Sequence, residues 1–159
     1  MKITPQTDRT LQAAQGYFEL GMLEDALAEL DTLPADLQEG AAVLQMRLFI
    51  HMREKRWGQA LEISRTFCRV QPEETLGFIH AAFCLHELRR TAEAKALLLA
   101  GPAALLGEAT YHYNLGCYDA ALGNIEEAQG HLRTSFRLDG KFREYARTDP
   151  DLRPVWGLI

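Results

Sequence analysis

Hydrophobic positions recur at three- and four-residue steps along most of the chain, and the clearest run lies within residues 113–139. Ile125, Ala128, Leu132 and Phe136 fall on one helical face at that spacing. Gly123 and Asn124 interrupt the pattern ahead of them. The stretch therefore predicts a helix over about 110–122, a tight turn, and a second helix over about 125–138. A hairpin of this kind cannot bury its apolar face alone and requires neighbours like itself.

The neighbours are in the sequence. Ala26, Ala60, Ala94 and Ala128 stand 34 residues apart, each preceded by an acid or amide: Asp25, Gln59, Glu93 and Glu127. Twelve or thirteen residues before each alanine lie small or apolar residues, Ala13-Ala14, Leu48, Ala81-Ala82 and Leu115-Gly116. The turn before each alanine carries Gly21, Lys55, Arg89 and Gly123 in register. Such a register predicts paired helices crossing closely where small side chains meet, at the near end of the usual ~8–10 Å.

The rest of the chain is read against this interval. Residues 1–7 form a lead-in, with Thr4-Pro5 a helix-start signal. Hairpins follow at 8–20 with 23–33, 41–53 with 57–70, and 75–88 with 91–100. Pro34 ends the first pair, leaving 34–40 as a connecting loop or loose turn. Pro72 fits a first helical turn, where a missing N–H costs nothing. Gly101-Pro102 cuts the third pair short and leaves AALLG irregular. Beyond the fourth hairpin a helix is expected over 141–148, with Phe142 and Tyr145 facing back. Asp149 caps and Pro150 opens a last short helix with Leu152, Val155 and Trp156. We read this segment as the cover that the last pair of a helical array needs; its aromatic residues would equally suit docking on a partner.

Composition narrows the function. Leucine and alanine outweigh valine and isoleucine, which favours helix over sheet. The 159 residues carry 17 Lys and Arg against 22 Asp and Glu, and no basic run exceeds Arg89-Arg90, which argues against a nucleic-acid surface. There is neither a signal-peptide core nor an apolar stretch near about 18 residues, so no membrane span is expected and cytoplasm is the default location. Cys68, Cys84 and Cys117 have no metal-type spacing and read as small hydrophobes. A shared metal at His80, Cys84 and Cys117 lacks a further ligand. His51, His80, His86, His112 and His131 show no pairing with a nucleophile and carboxylate, and no hydrolase, zincin or phosphate-loop motif occurs. Neither enzyme activity nor a cofactor is expected.

Residues 8–140 resemble the tetratricopeptide repeat (TPR) family, in its small bacterial type. The fourth copy has Leu115, Gly116 and Ala128 of the pattern, with Leu132 in an aromatic slot, Gly140 for the usual proline and Asp119 for a tyrosine. The first has Ala14, Tyr17, Ala26 and Leu30; the third has Phe78, Ala82, Leu85, Ala94 and Leu98. The second keeps Ala60 and Pro72 but departs at Arg47, His51 and Ser64. The resemblance implies an all-α, right-handed α-superhelix of about four antiparallel pairs (8–40, 41–74, 75–108 and 109–140), with a capping segment at 141–159. It also implies a concave groove lined by the first helix of each pair, where a partner's peptide or helix binds without chemistry.

On that pattern the first pair contributes Leu11, Gln15 and Phe18, and the second Gln45, Phe49 and Met52. The third contributes Leu76, Ile79, Phe83 and His86, and the fourth Tyr113, Asn114 and Cys117. Each could equally pack between neighbouring helices. The lining is apolar with little charge. Met46 and His80 stand where clamps for acidic chaperone termini place polar residues, so that specialisation does not fit. A groove-binding adaptor is the leading reading. One alternative is a chaperone of type III secretion translocators; such chaperones are similar in size, charge and groove polarity. They usually begin with an extra N-terminal helical segment, whereas here the first repeat is expected within ten residues of the start. Another is self-association, as a homodimer or larger.

Overall fold

The computed structural model describes residues 4–159, all helical or irregular, so residues 1–3 of the expected lead-in lie outside the described part. The chain forms two compact units, Met1–Pro72 and Glu73–Ile159. In the first unit, α1 (Pro5–Glu19) pairs with α2 (Leu23–Asp31), and α3 (Ala41–Arg53) pairs with α4 (Trp57–Val70). Helix α1 starts three residues before the position expected from periodicity. The Thr4 hydroxyl accepts from the Thr7 N–H at 3.2 Å and Pro5 takes the first helical position, so cap and ring together set the start.

Ala14, Ala26, Leu30, Leu33, Val43 and Ile50 form one core cluster of this unit, and Leu48, Ala60, Leu61 and Phe67 are buried as well. Between α2 and α3 the expected loop holds one 3-10 turn, Ala35–Leu37. Gln38 closes it: its amide donates to the carbonyls of Leu30 and Leu33 at 2.9 Å, satisfying the end of α2. Arg47 then donates to the Gln38 side chain at 2.6 Å and to Asp31 at 2.7 Å.

In the second unit, α5 (Leu76–Glu87) pairs with α6 (Thr91–Leu99), and α7 (Ala109–Leu122) with α8 (Ile125–Leu138). The AALLG stretch is a 3-10 turn, Ala103–Gly107, that buries Leu105. A Cβ on Gly101 would stand 2.4 Å from Leu105 Cδ1, so Leu105 packs directly on bare glycine backbone there. Helix α9 (Lys141–Ala146) and a 3-10 segment, Pro150–Val155, complete the unit. Trp156 lies just past that segment and donates from its indole to the Ala146 carbonyl at 2.8 Å.

The 34-residue interval is written into the backbone. Gly21, Lys55, Arg89 and Gly123 all take positive φ, at 75, 56, 65 and 84°. At each turn the following amide (Met22, Arg56, Arg90 or Asn124) donates back to Tyr17, His51, Leu85 or Asp119 at 2.8–2.9 Å. The left-handed residue itself donates to Phe18, Met52, His86 or Ala120. This double closure is the Schellman end of a helix. The four alanines of the register are fully buried. A Cβ on Gly116 would meet the Leu132 side chain at 2.7 Å, so the fourth pair closes on glycine.

Candidate functional site

In the first unit, α1 and α3 leave a cleft of about 460 Å³ between them. Leu11, Gln15, Gln45 and Phe49 line it, so the structure brings together four of the six positions assigned to this unit. Gly16, Ala42 and Met46 add apolar lining, and Gln12 and Glu19 form part of the polar edge. The amides are held along α1: Gln15 donates to Glu19 at 2.9 Å and Gln12 to Asp8 at 3.0 Å. Phe18 stands apart from the lining. The Arg53 guanidinium lies 4.9 Å from its ring centroid and donates to its carbonyl at 2.9 Å. Met52, half-buried, is also outside the lining. Gly16 and Ala42 escaped sequence reading because residues without reach carry no signal of their own; they matter by leaving room.

In the second unit the assigned positions divide. Leu76 and Ile79 line a cleft of about 330 Å³ with Thr75, His80, Glu108 and Thr110. Phe83 and Asn114 are half-buried. His86, Tyr113 and Cys117 are engaged by the C-terminal segment. Tyr113 donates its hydroxyl to Asp149 Oδ2 at 2.7 Å, and the Cys117 thiol donates to the same oxygen at 3.7 Å. His86 Nε2 lies 2.9 Å from Asp151 Oδ2, and its Nδ1 lies 2.9 Å from the Thr91 hydroxyl. Phe142 of α9 packs against Tyr113 with the rings tilted at 45° and centroids 5.0 Å apart. Leu115 to Ala120 is consequently buried without a break, a helix covered on every side.

The electrostatics follow from this contact. The hydrogen bond from His86 holds the Asp151 carboxyl below its usual value, against the opposing effect of burial. Burial first, and then Asp149, pushes the Tyr113 hydroxyl up; burial, Asp149 and Asp151 do the same to the Cys117 thiol. Cys84 is pushed up to about 12 and Cys68 to about 11, chiefly by burial. All three thiols stay protonated near neutral pH, the form that does not attack. Among the described residues, no three of His, Cys, Asp and Glu are grouped to hold a metal ion.

No protein-family model matches the chain, and no curated protein matches it. Solved structures do. The structure titled MamA 41-end from Desulfovibrio magneticus RS-1 aligns with a TM-score of 0.78 at 16% identity, covering 92% of this chain and 82% of that one. MamA MSR-1 C2 aligns at 0.70 and 17% identity, covering 84% and 76%. The MamA RS-1 ArsTM double mutant aligns at 0.73 and 12%, covering 85% and 76%. The fold is of the TPR type. Helix pairs, left-handed turn residues and buried alanines at one interval are how this TPR-type chain builds it, with the C-terminal segment as its cap. Among the described residues no helix is long and apolar enough to cross a membrane.

Proposed function

We propose that this protein is a non-enzymatic interaction module of about four TPR-like repeats, and that the α1–α3 cleft receives a helix or peptide of a partner protein. The cleft carries the reading. It has an apolar floor of Leu11, Met46 and Phe49, and the amides of Gln12, Gln15 and Gln45 line it too. That lining suits a neutral, amphipathic segment better than an acidic terminus, because no lysine or arginine lines it. The protonated thiols fit a binding role rather than a chemical one.

Magnitudes set what the partner must be. At about 25 cal/mol per Å², covering the apolar lining of a cleft this size contributes roughly 2 kcal/mol. Association costs an estimated 4–15 kcal/mol in lost freedom, so the cleft alone does not suffice and the partner must extend past it. The test is affinity capture from the native cell, comparing wild type with a Met46→Glu/Phe49→Ser chain of unchanged helicity. A partner held by wild type and lost by the variant is the expected result. Identical captured sets would remove the cleft from the account.

A further inference from the structure

The face formed by α5 and α7 in the second unit already holds a peptide, supplied by the same chain. Covering an apolar face at the end of a helical array requires only apolar contact. Leu152 and Val155, both fully buried, provide that. The contact goes further, because two carboxylates of the segment are each received by polar side chains of the face. Asp149 takes the Tyr113 hydroxyl and the Cys117 thiol on one oxygen and caps the Asp151 N–H at 3.0 Å with the other. Asp151 meets His86, whose ring is fixed from behind by Thr91. Without the segment these donors would face solvent, so what the segment supplies is two carboxylates placed to replace water on them. The face is thus built for two acids and two aliphatics at fixed spacing.

We propose that this face is a binding site for an acidic–aliphatic segment of the pattern Asp-x-Asp-Leu-x-x-Val. Residues 149–155 are its resident ligand, and a partner protein carrying such a segment binds by exchanging with them. The site does not depend on the α1–α3 cleft, and neither reading falls with the other.

The arithmetic of tethering governs the exchange. Only residues 147–149 separate α9 from the 3-10 segment. Short connections give effective concentrations of the order of 1 mM, so a free copy of the segment whose own Kd is well below that meets an apparent affinity near ~1 mM in the wild-type chain. Loosening the resident segment removes that handicap.

The experiment uses the full chain and a fluorescent synthetic peptide of residues 148–159. Leu152→Asp places a charge in a fully buried slot and releases the resident segment. The helical variant is expected to bind the peptide at least tenfold more tightly than wild type. Adding His86→Ala, or changing both acids of the peptide to Asn, is expected to undo the gain. Alkylation of Cys117, mapped by mass spectrometry, should accelerate in Leu152→Asp, since the thiol lies under the segment. Should Leu152→Asp lose helicity, the titration is made on Asp149→Asn/Asp151→Asn, which leaves both aliphatic anchors in place. A helical variant of either kind that binds the peptide no better than wild type overturns the proposal.

Discussion

At the scale of single residues, Lys55 and Arg89 are the informative ones. Both occupy the left-handed region that Gly21 and Gly123 occupy in the other two turns. A residue with a Cβ is disfavoured there by roughly 1–2 kcal/mol, while glycine costs about 0.5–1 kcal/mol in unfolded-state entropy. Lys55→Gly should therefore stabilise the chain by about 0.5–1 kcal/mol, read as a higher denaturant midpoint with unchanged slope. Arg89→Gly should gain less, because the Arg89 charge helps hold the Asp151 carboxyl ionised. The register of these four positions was legible in the sequence. Their backbone conformation was legible only at the glycines, since nothing in a lysine or arginine announces a positive φ.

At the scale of elements, α7 is the most enclosed helix: its bounds, Ala109–Leu122, match the expected 110–122, but its burial on all sides was not legible in the sequence. Helix α8 buries Ala128, Leu132, Ser135 and Phe136 at helical steps, so periodicity gave its bounds directly. Helix α7 buries residues on all sides, which erases the stripe that periodicity needs. One of those residues is a charge. Asp119 is fully buried and accepts from Lys95 Nζ at 2.6 Å and from the Asn124 amide at 3.0 Å on a single oxygen, while its other oxygen lies 3.6 Å from His131 Nε2. Lys95→Met should cost roughly 2–4 kcal/mol, near the lower end for breaking a buried pair because about a quarter of the lysine side chain stays exposed. Lys95→Met/Asp119→Leu should recover most of that loss in the same denaturation measurement. Sequence spacing placed Asp149 as a helix cap and nothing more. Its second role depends on Tyr113, 36 residues away, and no local pattern encodes such a distance.

At the scale of the whole molecule, acid should act in two stages. Burial is the main cause holding His51, His80 and His131 below the ordinary histidine value of 6.5. The folded chain therefore resists protonating them, whereas the unfolded chain takes up protons as soon as pH falls through about 6.5. Stability is full above that point and declines as pH drops toward the folded values. Asp151 has the opposite sign of charge and a folded value below 3.8, so its contribution persists above that point and is lost only as pH falls past it. Thermal scans should show the midpoint falling as pH drops below about 6.5, with a further decline below about pH 4. A midpoint constant from pH 7 to 5 would contradict the first stage.

The self-contained closure of the four turns has a bearing on how such a chain changes length. Every bend is fastened by bonds between residues no more than five apart, so a hairpin carries its own corner wherever it is copied. A duplication or deletion in step with the interval hands over a finished joint, while one out of step cuts through a joint and leaves two loose ends. Growth by whole cassettes is therefore the route along which this architecture tolerates genetic accident.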